Sequence, residues 1–416
     1  MSFFRSRWVE RPEHVTEAAP DELPVGFRAA ATAAGLKPGG TLDVGVLVSD
    51  EPHTTSAARF TTNARVGAPV QVSRAAALDR LRAVVANSGG SNTGDGERGL
   101  DTARAAQAAA AEELGVAAEQ VGLASTGVIG SELPREALVD GVRAACGLLG
   151  PDAEGLARAI LTTDRGPKRA CLDVELPNGM VRLSAQAKGA GMISPRFATM
   201  FCFVQTDAAL EPETVELLTR VCVKRSFDRI SVDGQLSTSD TVFVLASGAS
   251  GVGVHPQTED ERLLGKAMDA LMRQLALEIV ADGEGARRVG RVTVQGEPEH
   301  VEPVARAVAD SPLVKTALYG GDPNFGRVLQ AVGQALAGRD GSGGDLRVDL
   351  EVQGRRVVSD GVAVKLDAES FGDLERAVLE PEVEYAIALP GEGGSTEVFF
   401  SDLSHEYVTL NAEYTT

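Results

Sequence analysis

The sequence predicts a mixed, α+β fold built from many short strands, at least some of them antiparallel. Three observations carry that prediction. Apolar alternation marks strands along most of the chain, as in TLDVGVLVSD (41–50) and DTVFVLASG (240–248). Apolar runs that flank turn residues mark hairpins, as in LDVEL-PNG-MVRLS (172–184). Strands and helices do not alternate regularly, which argues against Rossmann and TIM-barrel architectures. At ~150 residues per domain, the 416 residues suggest two or three domains.

The elements follow in order. The first ~25 residues are polar and rich in Pro and Glu, and their end reads as a flexible lead-in. A strand starts at Thr41. PVQVS (69–73) and AVVAN (83–87) read as two more strands with a helical stretch between them, and NSGGSNTGDGERG (87–99) reads as a long loop. DTARAAQAAAAEEL (101–114) is a strong helix, Ala-rich with an acidic first residue. LASTGVIGSELP (123–134) is a turn-rich connector, followed by helices to about Thr163. After the hairpin, KGAGMISPRFATMFCFVQTD (188–207) is a Gly-rich loop running into an apolar strand. Residues 212–223 are helical, with the proline in the first turn where it is tolerated. Residues 259–281 form a long amphipathic helix that ends at the glycines of DGEGA. Past Val289, VGRVTVQG, LRVDLEV-QG-RRVV, EVEYAIAL and TEVFFSDLSHEYVTL read as strands and hairpins, with helices near 324–337 and 368–378. GRDGSGGD (338–345) is a loop tip, and no repeat of fixed period is present.

Composition narrows the function classes. Apolar residues make up 43% and charged residues 24%, enough for a full-sized core. Aromatics are only 4% while glycines number 46, so the core is aliphatic and Ala-rich. A net charge of −19 repels phosphate backbones and anionic lipid, which excludes nucleic acid and membrane surfaces as natural partners. No apolar run reaches the ~18 residues of a membrane span. The opening MSFFRSRWVERPEH has no apolar stretch after its basic residues and does not read as a secretory signal. Cys146, Cys171, Cys202 and Cys222 lie far apart without a CxxC pair, which fits a reducing compartment; the cytoplasm is the expectation. The five histidines form no HxxxH or HExxH pair, so a zinc site is not expected.

Standard catalytic motifs are missing. Gly265-Lys266 lacks the preceding glycine of a phosphate loop and is followed by Ala267. No GxGxxG occurs, and GxSxG fails at Ala86, two residues before Ser88. What remains is chemistry that needs no histidine, such as a nucleophilic Thr, Ser or Cys whose own α-amine serves as base. An α-amine ordinarily titrates at ~7.7–8.0, close to operating pH. Such a residue must first be freed by chain cleavage. Thr199 stands between the Gly/Pro-rich loop and the strand MFCFV, and a small Ala198 before it leaves the peptide carbonyl open to attack. On these features taken by themselves, the plainer reading of a β-branched strand residue is favoured.

The full string alters that balance. KGAGMISPRFATM (188–200) resembles the self-cleavage segment of the ornithine acetyltransferase family, the bifunctional glutamate N-acetyltransferases of arginine biosynthesis. GFRAAATAAGLKPGG (26–40) and LVSDEPHTTSAARFTTNARVGAPV (47–70) resemble the family's opening. ASTGVIG (124–130), TTDRGPK (162–168), SFDRISVDGQLSTSDT (226–241), ADGEGA (281–286), SPLVKTALYGGDPNFGRV (311–328) and LNAEYTT (410–416) resemble later blocks, in the same order.

The resemblance implies a layered αββα-type body over residues 1–288, including a helical segment at 207–288, and a smaller C-terminal α/β domain over 289–416. It implies cleavage between Ala198 and Thr199 into an α chain (1–198) and a β chain (199–416), which assemble into a larger oligomer. Thr199 would be the nucleophile, and Thr126 (hydroxyl) and Gly127 (backbone N–H) the oxyanion hole. Thr162, Lys188, Thr199, Glu284, Asn411 and Thr416 would contact substrate, with Thr163 beside Thr162 leaving that register open by one. Glu284 would pair with the amino end of an ornithine side chain. No cofactor or metal is implied; the partners are amino acids and N-acetyl amino acids. In the bare pattern, Thr126-Gly127 is also an ordinary turn, Lys188 a solvated loop residue, and Asn411 and Thr416 parts of a fraying tail.

The chain departs from the family at several places. NSGGSNTG replaces the usual NSGNANACTG, Gln235 replaces Asp, Arg165 replaces Thr, Arg287-Arg288 replaces Thr-Lys, and Phe325 replaces Trp. The leading expectation is acetyl transfer from N-acetylornithine to glutamate. The alternatives are a paralogue with the same mechanism and another amino-acid substrate, an acyl-amino-acid hydrolase, and a non-catalytic binding homologue.

Overall fold

Alternate-residue burial organises the body into two facing sheets. A computed structural model describes residues 2–194, 200–338 and 347–413. The first sheet runs in the order Val15–Glu17, Lys168–Leu176, Gly179–Lys188, Phe201–Thr206, Thr241–Ala246, Thr55–Phe60. Its hairpin closes with Leu176 opposite Gly179, so Pro177-Asn178 form the two-residue turn. Lys188 pairs with Phe201, and Phe201–Thr206 pairs in parallel with Thr241–Ala246. Leu183, Ala185, Cys202, Val204, Val242 and Val244 face outward, onto the helices Pro212–Arg225 and Glu259–Ala281. Their neighbours Phe201, Phe203, Phe243 and Leu245 face inward.

The inward residues meet Leu47, Val84, Ala86 and Ala124 of a second sheet, ordered Phe27–Thr32, Val44–Ser49, Ala83–Asn87, Val121–Ser125. The two sheets approach closely at Gly122, where a Cβ would lie 2.7 Å from the Phe243 ring. The outer face of the second sheet, with Val46, Val85 and Leu123, carries the helices Ala68–Arg74, Gly96–Leu114 and Arg135–Cys146. The layers are therefore helix, sheet, sheet, helix, an α+β arrangement. Strands buried on both faces read as continuous apolar runs, which is why VGVLVS and TVFVLA stand out in the sequence.

Residues 292–400 supply a separate core. A seven-stranded sheet, centred on Val289–Gly296 between Gly394–Ser401 and Glu382–Ala388, packs against Pro298–Ala309, Pro312–Gly320, Phe325–Leu336 and Ala368–Ala377. One of its edge strands is Ile230–Ser231, parallel to Phe399–Phe400, so this sheet draws one strand from far upstream.

Several segments differ from the sequence expectation. Residues 69–73 lie in the helix Ala68–Arg74, not a strand. Five residues of alternation fit either element, and Pro69 in the first turn favours the helix. The stretch 75–82 after it is turns and bends rather than helix. The connector at 123–134 opens within the strand Val121–Ser125. The lead-in is tied down: Val15–Glu17 joins the first sheet, and Phe3 and Val9 reach the main core. The strands Phe27–Thr32 and Thr55–Phe60 carry too many small and polar residues to show an apolar pattern. The helices Pro298–Ala309 and Pro312–Gly320 are punctuated by Pro298, Pro303 and Pro312, although Val301, Val304, Ala305 and Val308 keep helical spacing. SHEYVTL is β-rich in composition, yet Gly394–Ser401 ends the strand and His405–Glu413 is a helix. The Ser404 hydroxyl, which accepts the Tyr407 N–H at 3.1 Å, starts that helix.

Candidate active site

Strand ends of the two facing sheets meet at one cavity. Lys188, the last residue of Gly179–Lys188, is only 2% exposed. Its ammonium donates to Thr162 Oγ1 at 2.8 Å and makes a long contact of 3.5 Å to Thr126 Oγ1. Thr126 follows the strand Val121–Ser125 directly, and its N–H is fixed on the Asn87 carbonyl at 3.0 Å. Gly127 has φ +125°, and a Cβ there would sit 2.7 Å from the backbone of Gly89 and Gly90. The turn therefore needs glycine on both conformational and steric grounds.

Glu284 forms the far end. Its carboxylate accepts the Thr163 hydroxyl at 2.7 Å and the Asn411 amide at 2.6 Å, and its own N–H bonds the Ala190 carbonyl at 2.8 Å. A Cβ on Gly191 would lie 2.7 Å from that carboxylate, so glycine is what lets the loop lie against it. The cavity holds about 140 Å³ and is lined by Thr126, Gly127, Thr162, Thr163, Lys188, Glu284 and Asn411, with Gly191, Met192, Asp233, Gln235 and Tyr407. It thus offers a cation and hydroxyls at one end and an anion at the other, a match for a short zwitterionic molecule.

Two carboxylates clasp the chain on either side of residues 195–199. Asp233 accepts the N–H groups of Met192 (2.6 Å), Ile193 (2.9 Å) and Gln235 (3.1 Å), and the Tyr407 hydroxyl at 3.4 Å. The Ile193 carbonyl in turn accepts from Val232, Asp233 and Gly234. Met192 is held at φ +57°, a region costly for a side chain with Cβ. Downstream, Asp240 Oδ1 accepts the Met200 N–H at 3.1 Å. Burial pushes the Asp240 carboxyl up to about 8, and its Oδ2 has no hydrogen-bond partner among the described residues.

Behind Lys188 lies Asp164, whose side chain is fully buried between Lys168 and Lys188. Burial pushes Asp164 up, but the two ammonium groups outweigh it and hold the carboxyl well below the usual range. For Lys188, burial prevails over the attraction of Asp164, and its proton affinity is lowered.

Six residues singled out from the sequence thus surround one cavity: Thr126, Gly127, Thr162, Lys188, Glu284 and Asn411. Both threonines of the ambiguous pair line it, Thr162 on Lys188 and Thr163 on Glu284. Ala198, Thr199 and Thr416 lie outside the described residues. Arg287 and Arg288 turn away. Arg287 stacks over the Tyr319 ring, and Arg288 donates to the carbonyls of Leu318 and Tyr319. Asp164, Lys168, Asp233 and Tyr407 escaped sequence reasoning. Asp164 and Lys168 stand four residues apart in TTDRGPK, and that spacing of opposite charges is the signal that points to them.

The model of the ArgJ family matches residues 28–416. The chain belongs to the ArgJ family. The arginine biosynthesis bifunctional protein ArgJ of Nitratidesulfovibrio vulgaris is 41% identical over 396 residues, covering 94% of this chain and 98% of that one. ArgJ of Thermus thermophilus is 40% identical over 400 residues, covering 95% and 99%. Among solved structures, the ornithine acetyltransferase of Mycobacterium tuberculosis complexed with ornithine is 32% identical, with a TM-score of 0.41, over 45% of this chain and 99% of that chain. The ArgJ match thus takes in every lining residue of the cavity, from Thr126 to Asn411.

Proposed function

We propose that this chain is a self-cleaving glutamate N-acetyltransferase that takes its acetyl group from N-acetylornithine. The observation that carries the reading is the pairing of Lys188, Thr126 and Gly127 at one end of the cavity with Glu284 at the other. The arginine-biosynthesis names of the relatives support it.

In the first step the Thr199 hydroxyl attacks the Ala198 carbonyl carbon. The peptide nitrogen of Thr199 leaves as an amine, and water hydrolyses the resulting ester. The chain then divides into 1–198 and 199–416, which stay together and assemble further. In the mature enzyme the Thr199 amine takes the hydroxyl proton while the oxygen attacks the acetyl carbon of N-acetylornithine. Ornithine leaves with that proton on its nitrogen, and an acetyl ester remains on Thr199. Glutamate's amine attacks the ester carbonyl and restores the hydroxyl. Each tetrahedral oxyanion is met by the Thr126 hydroxyl and the Gly127 N–H. Lys188 and Thr162 hold the substrate carboxylate end, and Glu284, Asn411 and Thr416 the side-chain end. The body is residues 1–288 and the C-terminal domain 289–416, with the helix His405–Glu413 returning to the body's cavity.

The outward direction of Arg287 and Arg288 favours a cationic substrate end, because neither guanidinium competes for Glu284. Purified protein that gives two fragments on a denaturing gel and transfers acetyl from N-acetylornithine to glutamate meets the proposal. A single band with no transfer refutes it.

Two expected results probe the far end. Glu284→Gln lowers kcat/KM for N-acetylornithine at least about tenfold, because removing one partner of a desolvated charge pair costs ~2–5 kcal/mol. Self-cleavage survives, and an N-acetyl amino acid with a neutral side chain loses far less. Equal losses for both donors would remove Glu284 from reading side-chain charge. Gly191→Ala raises KM for N-acetylornithine, since the new methyl displaces the Glu284 carboxylate. The obstructed atoms end a side chain, so the thermal midpoint moves little; an unchanged KM with a large drop in midpoint would contradict this account.

A further inference from the structure

A row of alternating charges leads from the cavity to the far surface: Lys188, Asp164, Lys168, Asp282, Arg165. Lys168 Nζ lies 2.7 Å from Asp164 Oδ1 and 2.6 Å from Asp282 Oδ2. Asp282 Oδ1 is 2.9 Å from Arg165 Nε. Asp164 also accepts the Gly189 N–H at 2.6 Å and the Thr162 N–H at 3.2 Å. Lys188, by contrast, stands 3.7 Å from Asp164, beyond hydrogen-bond reach. Two opposite charges left to themselves in a dry interior close to contact. Here they do not, although neither is exposed to water.

We propose that Lys168 is a positioning residue that holds the Asp164 carboxylate off Lys188, leaving the Lys188 N–H groups for Thr162 and Thr126. The inference rests on reading the cavity as the acyl-transfer site. Lys168 occupies one Asp164 oxygen and is itself anchored from behind by Asp282. The outer end of the row opens on a second cavity of about 480 Å³ lined by Arg165, Lys168 and Asp282. The row is therefore wet at its far end and dry at Lys188. The charged groups that act on Lys188 are Asp164, Lys168, Asp240, Glu284 and Lys37. The three carboxylates favour its ammonium, while Lys168 and Lys37 oppose it. Lys168 is the member that touches Asp164 directly, and its removal both ends a repulsion and frees a carboxylate. Both changes raise the proton affinity of Lys188.

The test follows the Lys188 ammonium by NMR in protein carrying 13C-labelled lysine, with the resonance assigned by Lys188→Arg. In Lys168→Met the titration midpoint rises by about one pH unit or more, and in Lys168→Arg it returns toward the natural value. Asp282→Asn removes a negative charge and tightens Lys168 onto Asp164, so the Lys188 midpoint falls. That variant leaves Lys168 paired with Asp164, and it carries the test if Lys168→Met fails to fold. In turnover, Lys168→Met raises KM for N-acetylornithine about tenfold with kcat less affected, because the freed Asp164 carboxylate competes with the substrate carboxylate for Lys188. Midpoints that stay in place, or that move the same way in Lys168→Met and Asp282→Asn, overturn the inference. The titration needs no turnover. A natural protein that transfers no acetyl group would therefore defeat the functional reading and leave this one to be decided by the midpoints.

Discussion

Thr199→Ala runs as one full-length band on a denaturing gel and transfers no acetyl group, where the natural chain gives two bands and turns over. In the proposed mechanism one hydroxyl makes both attacks, first on the Ala198 carbonyl and then on the acetyl donor. Its loss therefore removes maturation and catalysis together. Deleting a covalent nucleophile lowers kcat on the order of a millionfold, which places the variant at background. Thr199→Ser keeps an oxygen at the same position and retains part of both steps. That contrast separates loss of the nucleophile from loss of the fold. Cleaved product from Thr199→Ala would sink the assignment.

Thr126→Val is the second large effect. The two side chains have nearly the same shape, so the turn locked against Gly89 and Gly90 is kept. Lys188 lies on the oxygen of Thr126 as a donor, which leaves the Thr126 hydrogen free to point at a developing oxyanion. Losing one such donor costs ~2.7–4 kcal/mol of barrier. The expected result is a fall in kcat of about a hundredfold or more, with KM little changed. Self-cleavage also slows, since its tetrahedral intermediate uses the same donor; timed gels of freshly made protein follow it. A change below about fivefold in kcat would take Thr126 out of the oxyanion hole.

Legibility depended on how far each signal reached along the chain. The helix Glu259–Ala281 was readable to its ends, because apolar spacing runs through 23 residues and the Thr258 hydroxyl caps it by accepting the Glu261 N–H. Ala68–Arg74 was not, because seven residues carry too few turns to separate two periods. Site residues behaved differently. Thr126, Lys188, Glu284 and Asn411 stand in loops or at element ends, where no periodicity marks them, and they were reached through the resemblance of whole strings. Asp164 and Lys168 sit in a stretch of Gly, Pro and charge that carries no periodicity. Their side chains are buried where the chain enters the strand Lys168–Leu176, a long-range fact that no local pattern carries.

The order of strands in the first sheet bears on what cutting the chain does to its history. Phe201–Thr206 and Thr241–Ala246 would belong to the β chain, and they are flanked by Gly179–Lys188 on one side and Thr55–Phe60 on the other, both of the α chain. The pieces are thus woven through one another, each the template for the other's ladder. Before the cut, those rungs form within one molecule. Afterwards they require two to meet, each with unpaired strand edges exposed and prone to pair wrongly. The uncut precursor should refold from denaturant as a unit, and the matured protein should not, except slowly and with a yield that depends on concentration. On the proposed cleavage, maturation acts as a ratchet: the active form is reached once, through the folded precursor, and persists by how slowly it unravels.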